Sequence, residues 1–198
     1  LCLDIMDYLK NNPHLYDQLN YYIIEKSGAM QQQEKKLLNE KVSWIDSITE
    51  ISELTGCILS NELLDNFPVH RMIVKDELME VFVDYKDEFV EVLKPAKEEL
   101  KNYLLEQKIT LPKEYSTEIN MQAIEWIEEI SLNLKSGFVL TIDYGFPGLE
   151  FYSSKRSSGT LVCYKGHEVN NSPYSDIGEQ DITAHVNFSS LNDWGKKF

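Results

Sequence analysis

GCILSNELLDNFPVH, residues 56–70, is the stretch on which the reading of the fold turns. The apolar run Cys57-Ile58-Leu59 stops abruptly at Ser60-Asn61-Glu62, and Asp65 follows one turn later. An apolar strand that gives way to a polar cluster is how an α/β protein delivers side chains to a crevice at the carboxyl end of its sheet. Upstream, helix and strand signals alternate. Residues 1–11 read as a helix with Ile5, Tyr8 and Leu9 on one stripe, stopped by Asn11-Asn12-Pro13. Residues 19–24 read as a strand, and Ser27 caps a helix over 28–40. Val42–Ile45 is a short strand, Ile48, Ile51 and Leu54 have helical spacing, and 57–60 is the next strand. This alternation predicts a parallel sheet with crossover helices.

Downstream the pattern changes. Arg71–Val74 and Met79–Tyr85 flank the turn Lys75-Asp76-Glu77 and predict an antiparallel hairpin. Pro95 opens a helix running to about Gln107, and Leu111-Pro112-Lys113 is a loop. Residues 120–134 form an amphipathic helix with Ile124, Ile127, Ile130 and Leu134 inward and Trp126 in a packing role. Gly137 ends it. Phe138–Ile142 is nearly all apolar and reads as a strand covered on both faces, ending in Asp143-Tyr144-Gly145. The glycine- and serine-rich segment 145–159 reads as a long loop, 160–164 as a strand and 166–180 as a second loop. Long loops inside a compact domain tend to carry function.

Composition bounds the possibilities. The 198 residues suffice for one domain with a substantial core, and the hydrophobic fraction of 42% is ordinary for a globular protein. No apolar run approaches the ~20 residues of a membrane-spanning helix. The chain lacks an initiator Met and starts inside a helix, so it reads as a piece of a longer protein. The net charge of −14 disfavours a broad phosphate-binding surface, hence nucleic acid, and suits a cationic substrate. Solubility is the plainer explanation of the charge taken alone. The 3 cysteines include no CxxC pair and the 4 histidines no HxxxH, so neither a metal site nor a disulfide framework is expected. The odd cysteine count fits a reducing compartment. No G-x-G-x-x-G, P-loop or G-x-S-x-G is present, which argues against a nucleotide hydrolase and a serine hydrolase.

Three groups of residues are candidates for chemistry. Glu25 ends the first strand, where a carboxylate can accept hydrogen bonds from the hydroxyls of a ribose, although many surface strands also end in Glu. Asn61, Glu62 and Asp65 form the stronger group. If the chain turns helical after Ser60, Glu62 and Asp65 share a face, where they can hold a cation and accept a proton. Helix capping by Ser60 or Asn61, with acidic residues in the first turn, explains the same pattern. Asp181, Thr183, His185 and Asn187 alternate with apolar residues and share a face if extended, with Glu179 and Gln180 completing a polar rim. An exposed strand face is the commoner origin of such alternation. Arg156, Tyr164 and His167 can line a pocket.

Six segments, in order, resemble the MidA-type methyltransferases. They are YYIIEKS at 21–27, SNELLDNFPVHR at 60–71, EVFVD at 80–84, GFVLTIDYG at 137–145, RSSGTLVCYKGH at 156–167 and GEQDITAHVNF at 178–188. The resemblance implies an α/β class I methyltransferase fold: a seven-stranded Rossmann-like sheet with helices on both faces and an added antiparallel hairpin. It implies S-adenosyl-L-methionine as cofactor. It also implies a single truncated domain over 1–198, with a hairpin and helical insertion at 70–120 and family-specific loops and strand at 145–188. The family's glycine-rich cofactor loop and first strand would precede Leu1, and its last strands would follow Phe198.

Carried over by position, Glu25 would contact the cofactor ribose. Asn61 and Glu62, with Asp65 behind them, would border the methyl-transfer site, Glu62 and Asp65 as the catalytic carboxylates. Asp143 and Tyr144 would lie at the crevice, and Glu179, Gln180, Asp181 and His185 beside the substrate. The family includes the mitochondrial arginine methyltransferase that assists assembly of respiratory complex I. The implied acceptor is therefore a protein arginine, the implied partner a complex I subunit, and the implied compartment the bacterial cytoplasm or mitochondrial matrix. The reaction would be direct displacement at the methyl carbon, with no metal, no nucleic acid and no membrane span. Two other readings compete: a non-catalytic protein-binding or complex-assembly module derived from a methyltransferase, and a nicotinamide-dependent oxidoreductase, which Glu25 alone permits.

Overall fold

The computed structural model describes residues 1–38, 40–166 and 168–198, which form two compact units, Leu1–Leu54 and Thr55–Phe198. The first unit holds helices α1 (Cys2–Leu9), α2 (Pro13–Gln18) and α3 (Gly28–Leu37) with strands β1 (Tyr21–Ile24) and β2 (Val42–Ile45). Pro13 opens α2 as well as closing the loop after α1. It sits in the first helical turn, where its missing N–H is no loss, and the Asn12 side chain accepts the Leu15 N–H at 3.4 Å. The Ser27 hydroxyl accepts the Met30 N–H at 3.3 Å, the expected cap of α3. Strands β1 and β2 pair in parallel, Tyr21 opposite Val42 through Ile24 opposite Ile45, so β1-α3-β2 is the crossover unit that the alternation predicted.

The helix suggested by Ile48, Ile51 and Leu54 does not form. Ser47 and Glu50 close a capping box around a single 3-10 turn, Ile48–Glu50, and Leu54 already begins β3 (Leu54–Asn61). In the second unit, β4 (His70–Val74), β5 (Leu78–Lys86), β6 (Glu88–Pro95) and β7 (Ser116–Ile119) form an antiparallel sheet in the order β6-β5-β4-β7. The predicted hairpin is thus half of a larger sheet. Pro95 closes β6, and helix α4 (Glu98–Glu106) starts three residues later than expected. One face of the sheet buries Met72 and Ile119 against Leu100, Tyr103 and Leu104 of α4 and against Ile124 of α5 (Met121–Asn133). This is the main core.

Helix α5 runs without a loop into β8 (Leu134–Ile142), so Gly137 lies inside a strand and does not end the helix. It has φ 143°, and a Cβ there would sit 1.8 Å from the Gly56 carbonyl oxygen of β3. Ser60 donates to Thr141 at 3.1 Å, and the Glu62 N–H donates to the Ile142 carbonyl at 2.8 Å. These contacts advance in the same sense along both chains, as a parallel pair requires. The expectation of a strand covered on both faces fails: Phe138 is 77% exposed and Leu140 50%. Among the described residues β8 has one strand neighbour, β3.

The expected loop 145–159 is ordered as β9 (Gly145–Phe146), α6 (Gly148–Phe151) and a 3-10 turn. Strands β10 (Val162–Lys165), β11 (Glu168–Asn170) and β12 (Asp181–Thr183) form an antiparallel sheet with β10 central, and β13 (Val186–Asn187) pairs in parallel with β9 before α7 (Phe188–Gly195). Trp126 packs beside Leu64, Ala123 and Val186 in a second core cluster. Among the described residues no helix is long and apolar enough to cross a membrane.

Leu100→Ala, at a fully buried position, is expected to lower stability by about 2–5 kcal/mol. Val83→Ala, at a position 51% exposed, should change it by less than about 0.5 kcal/mol. Denaturant titration of both variants measures the difference.

Candidate active site

The polar cluster after β3 is shaped by a turn, not by a helix start. Strand β3 continues through Asn61, and Glu62 takes φ 46°, which swings the chain out of the strand. A single 3-10 turn, Leu64–Asn66, follows. Its N–H groups are capped from another strand: Asp143, just past β8, accepts the Leu64 N–H at 3.0 Å and the Asp65 N–H at 3.4 Å through one carboxylate oxygen. Ser60, free of any capping role, bonds Thr141. Leu64 is fully buried, and its carbonyl accepts the Asn120 side-chain N–H at 3.0 Å while Asn120 caps α5. The turn is pinned at both ends.

Asp65 is only 3% exposed, and both its oxygens are occupied. Oδ2 accepts the Tyr144 hydroxyl at 2.5 Å, and Oδ1 accepts the Asn66 side-chain N–H at 2.8 Å. The Asp65 carbonyl accepts the Ala184 N–H at 3.0 Å, which draws the end of β12 to the turn. Burial first, and then the negative charge of Asp65, push the Asp143 carboxyl above its ordinary pKa. The same two influences, burial and the Asp65 carboxylate, push the Tyr144 hydroxyl well above its ordinary value, so it stays a donor.

These contacts frame a cleft of about 320 Å³ lined by Glu62, Asp65, Asn66, Tyr144, Tyr164, Asp181 and Thr183. Three carboxylates and two phenol rings face it, with no cationic side chain among the described residues of the lining. Such a wall attracts a compact cation through charge and through the negative faces of the rings. A larger cavity of about 480 Å³ lies beside Arg71, Glu91, Glu118 and the segments 158–162 and 171–175. Its cation is already engaged: Arg71 donates to Glu91, and the Tyr174 hydroxyl bridges both.

The structure therefore brings Glu62, Asp65, Tyr144 and Asp181 to one cleft, with Asp143 supporting its floor. Asn61 is exposed at the end of β3 and outside the lining. Glu179 pairs with Lys165 at 3.1 Å, and Gln180 donates to the Ser172 and Ser175 carbonyls and accepts from Asn170, so both brace the loop and do not line the cleft. The predicted common face of Asp181, Thr183, His185 and Asn187 breaks after Thr183, because β12 pairs with β10 and β13 with β9. His185 packs edge-on against Tyr144, with ring centres 5.3 Å apart, and Asn187 caps α7. In the first unit Glu25 accepts the Ser27 N–H at 2.6 Å. Arg156 lies over the Phe146 ring, Tyr164 lines the cleft, and His167 is outside the described residues. Sequence reasoning passed over Asn66. Its neighbour Asp65, whose buried carboxylate needs a donor, was the signal.

The family model described as "Putative S-adenosyl-L-methionine-dependent methyltransferase" matches residues 1–198. The chain belongs to this family. Two solved structures from Burkholderia thailandensis resemble this family member. One is a superfamily member bound to S-adenosyl-homocysteine: 28% identity, TM-score 0.77, covering 91% of this chain and 49% of that one. The other is the native structure of an uncharacterized protein of the same superfamily: 28% identity, TM-score 0.78, covering 90% and 50%. The chain thus spans about half the length of the structures it matches. A search of curated proteins finds no match.

Burial, and then the charge of Arg156, hold the His185 imidazole below its ordinary pKa of 6.5. The unfolded chain therefore binds this proton more readily than the folded one. Stability is expected to fall as pH drops through 6.5 toward the lowered folded value. His185→Phe should flatten that dependence in denaturant titrations run at pH 7 and at pH 5.

Proposed function

We propose that the protein is a MidA-type methyltransferase that uses S-adenosyl-L-methionine to methylate a guanidinium nitrogen of a protein arginine. The observation that carries this reading is the cleft itself: Glu62, Asp65 and Asp181 around two tyrosines, with no cation among the described residues of the lining. A guanidinium is planar, permanently charged and rich in donors, which suits divided carboxylates flanked by aromatic rings. Family membership and the neighbour bound to S-adenosyl-homocysteine support the cofactor. The resemblance to the complex I assembly methyltransferase makes a respiratory complex I subunit the proposed protein partner.

When bound, the cofactor supplies an electrophilic methyl on a sulfonium whose departure needs no metal. Glu25 fits the ribose end of such a group. It lies at the carboxyl end of a parallel strand, Oε1 is fixed by the Ser27 N–H, and among the described residues Oε2 accepts no hydrogen bond. In the cleft Asp65 is the fixed anchor, since Tyr144 and Asn66 prevent its rotation. It orients the guanidinium through charge-assisted hydrogen bonds. Glu62 is exposed at the rim, open to water. It takes the proton that the acceptor nitrogen sheds as the new N–C bond forms. Asp181 holds the opposite edge of the cation.

In the intact protein, Glu62→Gln is expected to lower methyl transfer to an arginine-containing protein by about 100-fold or more while leaving S-adenosyl-homocysteine affinity within about twofold. Radiolabelled transfer and calorimetry measure the two. Unchanged turnover removes Glu62 from the role. Failure of the well-folded intact protein to bind S-adenosyl-homocysteine favours the non-catalytic assembly module.

A further inference from the structure

Glu118 is a buried acid that the proposed chemistry does not use. It lies on β7 at 5% exposure and is bound to a residue 42 positions away. One carboxylate oxygen accepts both the Thr160 N–H at 2.7 Å and the Thr160 hydroxyl at 2.9 Å. Burial raises the carboxyl pKa, and the two bonds from Thr160 oppose that rise. The intervening chain is built for this contact. Gly159 has φ 86°, and a Cβ there would fall 2.2 Å from Glu118 Oε1, so only glycine lets the segment settle over the carboxylate.

The contact leads to the cleft. The Thr160 hydroxyl oxygen accepts the His185 N–H at 3.2 Å while its proton goes to Glu118. The His185 ring packs against Tyr144 at 5.3 Å and against Phe146 at 5.1 Å, and Arg156 covers the Phe146 face. His185 Nδ1 is buried and has no partner among the described residues. The ring is therefore not oriented by a hydrogen bond at Nδ1, and its place is set by its backbone and by packing. Tyr144, held by that ring, donates to Asp65. Among the described residues, Arg156, Tyr144, Asp65 through Tyr144, and Glu118 through Thr160 are the titratable and charged groups that bear on His185.

We infer that Glu118 and Thr160 form a latch that positions His185 against Tyr144, so that the Tyr144 hydroxyl keeps Asp65 in the orientation that receives the acceptor cation. This rests on the proposed guanidinium reading of the cleft. Both are positioning residues, since neither lines the cleft. The latch is a chain of discrete contacts between β7 and the turn after β3, and losing its middle link loosens Asp65 without touching it.

The test uses the intact protein with N-acetylarginine amide as probe. Its affinity is measured by calorimetry, and the His185 ring is followed by NMR through a pH titration. Thr160→Val keeps the side-chain shape and the N–H bond to Glu118 but removes the hydroxyl. It is expected to weaken probe binding roughly fivefold to tenfold, part of what the two hydrogen bonds of the hydroxyl contribute. It should also shift the His185 ring signals and bring the imidazole pKa nearer its ordinary value. Thr160→Ser should restore both, which a loss of packing alone would not. A Thr160→Val protein with wild-type affinity and wild-type His185 signals overturns the latch. A wild-type protein that does not bind the probe overturns the guanidinium reading instead, and the His185 signals then decide the latch by themselves. Should Thr160→Val fail to fold, Thr160→Ala, which adds no bulk, is judged by the same two readings.

Discussion

The Asp143 carboxylate closes the end of β8 onto the turn that follows β3, and the rest of the cleft depends on that closure. One of its oxygens satisfies two N–H groups of a 3-10 turn too short to satisfy its own, and the other accepts the N–H of Tyr144. Parallel strands bring their carboxyl ends to the same level, so a polar residue just past one strand can cap the turn leaving its neighbour. Asp65 and Tyr144, 79 positions apart, thereby come within hydrogen-bond distance.

That closure gathers acids. Burial, and then the charge of Asp65, make Asp143 hold its proton more tightly than usual, and Glu62 and Asp181 add charge at the rim. Like charges this close destabilise the fold wherever no cation answers them. The nearby Arg156 does not answer them: it stacks on Phe146 and pairs with Glu150 at 3.1 Å. An acidic cleft whose neighbouring cation is engaged elsewhere is what the proposed guanidinium acceptor requires. The neighbouring larger cavity shows the contrast, since its Arg71 and Glu91 neutralise each other.

Much of the fold was legible. The β1-α3-β2 crossover, the β4–β5 hairpin and α5 all lie where periodicity and caps placed them, because each is decided by neighbours within a few positions. The misreadings share a cause. Local pattern makes Gly137 a helix end, yet its lack of a side chain serves a contact with Gly56 across two strands. Local pattern makes Pro95 a helix start, yet it pairs with Met79 at the end of β6. Phe138–Ile142 read as buried from apolarity alone, and apolarity does not count strand neighbours. In the site, the Glu62 and Asp65 pair was legible as acids following a strand, but the helical reason offered for it was wrong: a left-handed turn and an outside cap bring them to one cleft.

By itself the sequence determined which residue types stand where the strands end, the short-range elements between them, and the acidic balance that favours a cationic ligand. Local rules suffice there, since caps, turns and amphipathic stripes act over one or two turns of chain. Tertiary structure alone decided which of those polar residues meet. It separated Glu179 and Gln180 from Asp181, turned His185 from the cleft lining to its support, and coupled Glu118 to the cleft through Thr160. The reason is that strand pairing and burial are long-range. The β10–β12 and β9–β13 pairings split one alternating segment between two sheets, and spacing along the chain carries no record of which partner a strand takes.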